Sequence, residues 1–504
     1  MIEGQAASGK TPKLRYGMAG GGQGAFIGDV HRKAIAMDGK AAIACGCFSQ
    51  SYDNTLATGD ILGLPRERLY RTFDEMMRAE AQRPDRPDFM IVVTTNNAHY
   101  PAAKAALENG FPVVCDKPLT TSSKDAADLA RLAKQKDLLF CVTYAYSGYP
   151  MVRNIRDMIA AGEIGDIRFV NAEYPQEWLA TKLEDTGQKQ ALSRTDPKVA
   201  GISNCVGDIG SHIEFMVSHM TGLRIESLCA RLDRFGPGRA LDDNATILVN
   251  YKGGAKGVYW SSQIAIGHDN ALRLRLYGAK GAVEWFQEAP NNARVSFLDR
   301  PTGTLSRGRD PMSPRAQGLS RLPSGHPEGY FEAFANVYAA YIAALAKKLR
   351  GEPLFKEDLD FPGVDDGIRG VHFIEKCVES SAKGAVWVNI YRRNQCPDPS
   401  RCSPASGPTC RSKSSAGKSA PGAMTAWRSP AGATTWMSAR PPRTAPTSAK
   451  RSAFSKNTAS SAGPWEPTWP DSASATNTTP GSTASPPKPS RASPTPSASG
   501  PSRI

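Results

Sequence analysis

Two short groups of residues in the middle of this chain have the types and spacing needed to move a proton. Lys117 belongs to the run CDKP at positions 115–118, directly after an apolar segment. An ammonium there can exchange a proton with a hydroxyl group, and the proline fixes the backbone direction beside it. Asp208 and His212 are four residues apart and would share one face of a helix. On that face His212 could carry a proton while Asp208 orients it or binds the substrate.

Both groups could also have ordinary structural roles. Lys117 could be an exposed lysine in a loop, and Asp208 could belong to a capped helix with a partly buried histidine. The spacing of Asp208 and His212 would also suit two metal ligands, with His219 as a third, in a metal-dependent hydrolase. Because hydrolysis would leave the glycine-rich turn near the N-terminus without a role, the sequence predicts no metal.

That glycine-rich turn, GMAGGGQGAFIG at positions 17–28, predicts dinucleotide binding. It fits the pattern G-x-G-x-x-A at Gly20, Gly22 and Ala25, between a strand-like and a helical segment. Gly20 permits a tight turn, Gly22 lets a pyrophosphate approach the backbone, and Ala25 keeps the following helix close to the strand. A purely structural turn is the alternative. The cofactor contacts predicted here and at the following strand ends are Gly20, Gly22, Gln23, Gly24, Ala25, Phe26, Ile27, Ser49, Thr94, Thr95, Asn96, His99, Asp116 and Lys117.

The end of the second predicted strand leaves the choice of dinucleotide open. An acid at this point would bind the adenosine ribose of NAD, but the chain has Ser49, and Asp53 follows four residues later. Ser49 would tolerate the 2′-phosphate of NADP, yet no Arg or Lys follows closely. The sequence therefore predicts NAD or NADP as the cofactor.

These residues need elements that bring them together, and the pattern of apolar runs predicts an α/β chain. Residues 12–145 alternate short strands with helices, as βαβ units do, which predicts a doubly wound parallel Rossmann sheet. In residues 146–390 strand-like segments separated by Gly-rich turns predict an α+β domain with a largely antiparallel open sheet. A long surface loop is expected over 303–325, then helices over 328–349 and 364–382.

With the glycine turn, Asp116-Lys117-Pro118 and Asp208-x-x-x-His212 in this order, residues 12–390 resemble the Gfo/Idh/MocA family of oxidoreductases. The resemblance implies hydride transfer between nicotinamide and a hydroxyl or carbonyl carbon of a sugar, cyclitol or glycoside. It also implies that Lys117 is the catalytic lysine, Asp208 the acid of the second motif and His212 the general acid/base. Asp116 stands where glutamate is usual in the family. A non-catalytic nucleotide-binding regulatory protein is the alternative, which the full set of motif residues disfavours.

The resemblance places tyrosines that follow the last Rossmann strand near the nicotinamide, and Tyr146 is the one selected; packing between domains is the alternative role. A polar stretch before Asp208 could line a polyol pocket, and His326 precedes a long helix that could project into the cleft. The predicted substrate-site residues are Lys117, Tyr146, Trp178, Lys189, Arg194, Asp208, His212 and His326.

Charge and composition separate the last 114 residues from the rest of the chain. The chain has a formal net charge of +14, but residues 391–504 contain 15 Lys and Arg against 3 Asp and Glu, which leaves only +2 for residues 1–390. This low-complexity tail, rich in Ser, Pro, Ala and Thr, is expected to be disordered or to derive from a frameshift. The nearly neutral remainder disfavours nucleic-acid partners.

The remaining expectations concern location and assembly. No apolar run reaches the roughly 20 residues of a membrane span, and no secretory leader is recognisable, so we expect a cytoplasmic protein without membrane contact. Its partners would be a small sugar or polyol substrate and a second copy of the chain, because an open sheet suggests burial against another subunit to form a homo-oligomer.

Overall fold

Two β-sheets organise residues 13–390, which are the residues that the computed structural model describes. The expectations for the tail, residues 391–504, lie outside this range. Within it, no helix combines the length and the apolar composition needed to span a bilayer. The seven cysteines of this range are unpaired, and six of them are buried.

The first sheet is parallel and has five strands in the order β2-β1-β3-β4-β5. Its strands are short apolar runs, and every residue of the third, fourth and fifth is buried, as expected for a parallel sheet covered on both faces. The doubly wound fold predicted from the sequence is confirmed. The strands are β1 Leu14–Gly20, β2 Ala41–Cys47, β3 Phe89–Val93, β4 Val113–Cys115 and β5 Phe140–Val142.

Five helices connect these strands. They are α1 Phe26–Met37, α2 Tyr52–Leu62, α3 Phe73–Ala81, α4 Asn96–Glu108 and α5 Ser123–Gln135. Helix α2 was not expected, because the residues that it buries are small or polar, Thr55, Thr58 and Gly59, and leave no apolar periodicity. Its start is nevertheless marked by Ser51, whose hydroxyl accepts the Asn54 N–H.

The second sheet has nine strands in the order β13-β12-β11-β10-β6-β9-β8-β7-β14. All neighbours are antiparallel except β6 and β9, so the predicted, largely antiparallel sheet is confirmed. Alternate residues along its strands are buried, which leaves the opposite face open. The strands are β6 Ile167–Pro175, β7 Ile225–Asp233, β8 Asn244–Tyr251, β9 Lys256–Ser262, β10 Arg273–Gly278, β11 Gly281–Phe286, β12 Asn292–Phe297, β13 Gly303–Ser306 and β14 Val388–Asn389.

The remaining helices lie between and around the two sheets. They are α6 Pro150–Ala160, α7 Lys189–Thr195, α8 Pro197–Ala200, α9 Ser211–Thr221, α10 Pro314–Gln317, α11 Tyr330–Leu349 and α12 Val364–Ala382. The prediction of a single surface loop over 303–325 is wrong. Strand β13 pairs with β12, and Ser313 caps α10 by accepting the Ala316 N–H.

Helix α11 packs on the first sheet although it follows the strands of the second. Its residues Phe334, Tyr338 and Tyr341 share a buried cluster with Tyr16 of β1 and Phe89 of β3. They cover the face of the sheet that α1 also covers, while α3, α4 and α5 cover the other. The boundary near residue 145 therefore remains a prediction, since part of the later segment completes the Rossmann layer.

Candidate active site

The turn after β1 has a backbone path that only glycine permits. Gly20 has φ of 87°, and a Cβ on it would lie 2.5 Å from the Val93 carbonyl oxygen. A Cβ on Gly22 would lie 2.9 Å from the carbonyl oxygen of Phe48, which accepts the Gly22 N–H at 2.9 Å. The turn thus brings the ends of β1, β2 and β3 to one edge of the sheet. Beside Gly24 a Cβ would meet no atom within 4 Å, so the backbone there borders open space.

Helix α1 begins directly after this turn without a side-chain cap. Its N-cap residue, Ala25, offers no hydrogen-bond acceptor on its side chain, whereas serine or threonine caps α2, α3 and α5. The N–H groups of the first turn, at Phe26 and Ile27, are therefore left for a ligand anion. Helix and turn approach closely at Gly28, where a Cβ would be 2.3 Å from the Gly21 Cα. This uncapped terminus fits the pyrophosphate of NAD.

The other predicted cofactor residues lie at neighbouring strand ends. Ser49 is half-buried after β2, and its hydroxyl accepts the Ser51 N–H at 3.2 Å. Thr94 and Thr95 follow β3, the first half-buried and the second exposed. His99 does not fit a direct cofactor contact, because its ring is 1% exposed and joins two backbone carbonyls.

The His99 ring links the loop after β3 to the loop that carries Lys117. Nδ1 lies 2.8 Å from the Pro118 carbonyl oxygen, and Nε2 lies 3.1 Å from the carbonyl oxygen of Thr94. Asp116, in the second of these loops, accepts the Thr143 hydroxyl at 2.6 Å. His99 therefore supports both loops from the protein interior.

Lys117 points towards Asp208 and is held by two oxygens of that residue. Its Nζ donates to the Asp208 carbonyl oxygen at 2.8 Å and to Oδ1 of the carboxylate at 3.0 Å. The two motifs that are 91 residues apart in sequence thus meet in one ion pair. The lysine is not an exposed loop residue, since its side chain is only 14% exposed.

The backbone around Asp208 forms a π-helical turn, Val206–Gly210, that leads into α9. In such a turn each N–H reaches back five residues, and the N–H of Ser211 indeed donates to the Val206 carbonyl oxygen. Asp242 supports the turn by accepting the N–H of Asn204 and of Val206 with its carboxylate. Sequence periodicity had suggested an ordinary helix; the wider turn presents both the carbonyl and the carboxylate of Asp208 to Lys117.

Two further side chains hold the Asp208 carboxylate. Arg194 forms an ion pair with Oδ1 at 3.0 Å, and Gln263 donates to Oδ2 at 2.9 Å. Gln263 is itself fixed by Asn204, whose amide donates to it at 2.7 Å. Burial opposes ionisation of Asp208, but the positive charges of Arg194 and Lys117 outweigh it and hold its pKa below the usual value. Asp208 is therefore a carboxylate with two cationic partners.

Gln263 was missed by the sequence analysis. Its signal is the polar run SSQ at 261–263, which ends an otherwise apolar strand and is fully buried. Asn96, predicted as a cofactor residue, reaches the same cluster through Arg194, whose Nη1 donates to Asn96 Oδ1 at 3.4 Å. This contact connects the loop after β3 with the cluster around Asp208.

His212 lies one turn beyond Asp208 and is 6% exposed. Burial, reinforced by the positive charge of Lys117, holds its pKa well below the usual value, so the imidazole is neutral at neutral pH. Among the described residues its buried Nδ1 has no hydrogen-bond partner. The site therefore contains a neutral imidazole beside a cationic lysine.

Tyr146 covers His212, with 4.9 Å between the ring centroids. Its hydroxyl lies 2.6 Å from the Tyr174 hydroxyl and accepts a hydrogen bond from the Asn270 amide at 3.2 Å. Tyr174 also donates to Asn270 Oδ1, at 2.6 Å. Tyr174 and Asn270 were not predicted, because no local pattern marks residues that meet from β6 and the segment before β10. The three polar groups form a closed network on one side of His212.

The structure does not bring three of the predicted substrate residues into these contacts. Lys189 is exposed at the start of α7, and His326 is exposed, with its carbonyl oxygen bound by Arg307. Trp178 is half-buried next to Leu179, whose N–H donates to the Gln263 carbonyl oxygen at 2.9 Å. Polarity and spacing in the sequence could not show where these side chains would point.

A metal centre at Asp208 and His212 finds no third ligand in the part of the chain that the structure describes. No group of three or more His, Cys, Asp or Glu residues there is arranged to hold an ion. His219, the third ligand considered from the sequence, stacks on Phe215 at 5.3 Å between ring centroids.

Comparison with known proteins gives matches for both halves of the described chain. Residues 14–144 match the family model for the oxidoreductase family with an NAD-binding Rossmann fold. Residues 152–284 match the model for the GFO/IDH/MocA C-terminal domain. An uncharacterized oxidoreductase of Bacillus subtilis, YfiI, is 36% identical over 383 residues, which cover 75% of this chain and 97% of that protein.

The names of two similar proteins mention a small-molecule ligand. An inositol dehydrogenase homolog from Azotobacter vinelandii, solved with NADH and myo-inositol, superposes with a TM-score of 0.70 at 33% identity, covering 75% of this chain and 97% of that one. The levoglucosan dehydrogenase of Pseudarthrobacter phenanthrenivorans is 26% identical over 337 residues, which cover 61% of this chain and 81% of that enzyme.

Proposed function

Because the chain belongs to the Gfo/Idh/MocA family and is an NAD-dependent oxidoreductase, we propose that its substrate is a sugar or a cyclitol. The observation that carries this proposal is the meeting of Lys117, Asp208 and His212 at the edge of the sheet where the glycine turn lies. The relatives named for inositol and levoglucosan act on rings with several hydroxyl groups, which supports the same substrate class here. Ammonium, guanidinium and imidazole groups suit such hydroxyls as hydrogen-bond partners.

In the proposed mechanism each residue of the cluster has a separate task. The nicotinamide of bound NAD supplies the hydride acceptor for oxidation and the hydride donor for reduction. The neutral imidazole of His212 takes the proton of the reacting hydroxyl, and Lys117 donates a hydrogen bond to the same oxygen and stabilises its developing charge. Ionised Asp208 holds the Lys117 ammonium in place. In reduction the protonated His212 returns the proton.

The first test is a dehydrogenase screen of the full chain with NAD+. The panel contains myo-inositol, other cyclitols, free hexoses and levoglucosan, and NADH formation is followed by absorbance. We expect turnover with at least one cyclic polyol, and its loss by at least about two orders of magnitude in His212→Ala, as general acid–base catalysis contributes 10²–10⁴-fold. The matched control is His326→Ala. Because His326 is exposed, this variant should retain the wild-type rate.

Binding of the cofactor separates a catalytic defect from a folding defect. His212→Ala should bind NADH with nearly wild-type affinity, because His212 is neither a predicted cofactor contact nor part of the uncapped turn of α1. Lys117→Met removes one predicted cofactor contact but leaves that turn intact, so it should retain most of the affinity. A chain that binds NADH but oxidises no polyol would contradict the substrate proposal. Wild-type turnover in both variants would contradict the assignment of the catalytic residues.

We also propose that the chain forms a homo-oligomer through the open face of the nine-stranded sheet. Phe169, Leu248 and Tyr277 on this face are 39–43% exposed, and Trp260 is half-buried there. The same face also carries the ion pair of Arg275 with Glu173, and exposed apolar side chains rimmed by polar ones are typical of an interface. Light scattering after gel filtration should give a dimer or larger, and Leu248→Arg should reduce its size. A monomeric wild-type protein would refute the proposed homo-oligomer.

A further inference from the structure

His31 of α1 is a buried histidine with one ring nitrogen that has no hydrogen-bond partner among the described residues. The residue is 0% exposed. Its Nδ1 lies 2.5 Å from the hydroxyl of Tyr338 on α11, whereas its Nε2 is buried and has no partner within hydrogen-bond distance. A buried polar group without a partner is costly and rare in folded proteins. The unpaired Nε2 therefore indicates a second role for this residue.

Asp116, which directly precedes Lys117, faces this nitrogen. The Asp116 Oδ1 lies 3.9 Å from His31 Nε2, and the carboxylate is only 13% exposed. Oδ1 also accepts the hydroxyl of Thr143 at 2.6 Å. The separation exceeds a hydrogen bond by about 0.7 Å, so a small shift of Asp116 would complete one. Because both groups are shielded from water, a charge on Asp116 acts strongly on the His31 ring.

The charge of Asp116 decides which nitrogen of His31 carries the proton. Burial lowers the pKa of His31 to about 4, so the imidazole is neutral at neutral pH and has a single N–H. A proton on Nδ1 would leave the Nε2 lone pair facing a carboxylate, which is repulsive. With the proton on Nε2, the Tyr338 hydroxyl donates to Nδ1, and Nε2–H is directed at Asp116.

We propose that His31 is a positioning residue that holds Asp116 through Nε2–H, so that the adjoining Lys117 keeps its ammonium on Asp208. This inference rests on the proposed function, in which Lys117 acts on the substrate oxygen. His31 belongs to the helix whose uncapped N-terminus fits the pyrophosphate. The contacts Tyr338–His31–Asp116 thus connect the cofactor helix with the residue next to Lys117 through the protein interior.

The first experiment observes the His31 ring directly and requires no substrate. In the full chain labelled with nitrogen-15 histidine, NMR should show a neutral ring with its proton on Nε2, assigned by the loss of its signals in His31→Gln. Asp116→Asn removes the facing charge and should move the Nε2–H proton resonance upfield. The matched control Asp74→Asn, at an exposed acid on α3, should leave it unchanged. A proton on Nδ1, or an unchanged resonance in Asp116→Asn, would overturn the proposal whether or not a polyol is oxidised.

The second experiment measures kcat and the KM for the polyol at saturating NAD+. His31→Leu loses the N–H and should lower kcat by about tenfold, the lower end expected for the loss of a hydrogen bond to a charged group. His31→Gln should recover most of kcat, because its amide can donate from a similar position. KM should change little in either variant, since His31 does not touch the substrate. Equal kcat in the two variants would overturn the proposal.

Two tyrosines of α11 separate positioning from packing. Tyr338→Phe removes the donor to His31 Nδ1 and should lower kcat. Tyr341→Phe should not, because the buried Tyr341 hydroxyl has no hydrogen-bond partner in the part of the chain that the structure describes. Both substitutions keep an aromatic ring in the same buried cluster. Equal effects of the two would contradict the role of His31, whereas a wild-type chain without turnover would contradict the proposed function and leave the NMR experiment to decide.

Discussion

Replacement of Asp208 by asparagine removes one negative charge from the centre of the proposed catalytic cluster while keeping the shape of the side chain. In the native protein this carboxylate is 9% exposed and contacts Lys117 and Arg194, each at 3.0 Å, and Gln263 at 2.9 Å. After Asp208→Asn the two cations face each other without their counter-charge. Both the free energy of unfolding and kcat should therefore decrease.

The cost in stability follows from the burial of the ion pairs. Removing one partner of a buried pair costs about 3–5 kcal/mol, and we expect about 3 kcal/mol because the amide oxygen can still accept one bond. For catalysis, Lys117 keeps its bond to the carbonyl oxygen at 2.8 Å and loses only the one to the carboxylate. A hydrogen bond to a charged group is worth about 1.5–3 kcal/mol. At 1.36 kcal/mol per factor of ten, kcat should fall by about 10- to 150-fold.

The assay compares kcat by NADH absorbance, NADH affinity by fluorescence and unfolding in urea. Glu80→Gln is the matched control, because Glu80 of α3 is a fully buried carboxylate that pairs with Arg68 and contacts no residue of the Asp208 cluster in the described ion pairs. We expect both variants to lose stability and only Asp208→Asn to lose turnover, with NADH affinity retained. A kcat within threefold of wild type in a folded Asp208→Asn protein would refute the role assigned to this ion pair.

Three further changes test other parts of the structure. Gly22→Val should weaken NADH binding by at least about tenfold, a loss of 1.4 kcal/mol, because its Cβ would press on the Phe48 carbonyl; fluorescence titration measures it. Tyr146→Phe keeps the ring over His212 but loses hydroxyl bonds worth about 0.5–1.5 kcal/mol each, so kcat should fall by a few-fold in the polyol assay. Burial lowers the pKa of His31 from 6.5 to about 4, so between these pH values only the unfolded chain binds this proton, and stability falls with falling pH by about 3 kcal/mol. Urea unfolding at several pH values should show that the free energy of unfolding depends less on pH in His31→Gln than in the wild type. An unchanged pH dependence would contradict the contribution assigned to His31.

Local patterns in the sequence were sufficient for the first sheet and for the glycine turn. The strands of the Rossmann layer are apolar runs of three to seven residues, and the turn at Gly20 and Gly22 is a local backbone requirement. The proposed roles of Lys117 and of the Asp208–His212 pair needed the family resemblance, because each motif alone is also compatible with an ordinary structural role. Hydrophobic patterning thus located the strands of the first sheet, while the order of the motifs indicated the proposed chemistry.

Contacts between distant segments could not be read in the same way. Gln263 reaches Asp208 from the end of β9, and Asn270 reaches Tyr146 across 124 residues of sequence. The sequence marks such residues as polar but not as buried, since burial depends on which strands become neighbours. The amphipathic pattern of α11 likewise indicates an apolar face without showing that it covers the first sheet.

The distribution of charge around Asp208 bears on the proposed division of tasks between His212 and Lys117. Two cations on one carboxylate leave a net positive charge beside His212, and burial, reinforced by this charge, lowers the pKa of the imidazole and keeps it neutral. A neutral imidazole can accept a proton, whereas an ammonium fixed by the Asp208 carbonyl and carboxylate can donate hydrogen bonds but has no free acceptor. The same charge favours a substrate oxygen that becomes more negative as its proton leaves. His212 is therefore better suited to be the base and Lys117 to be the electrostatic partner of the reacting oxygen.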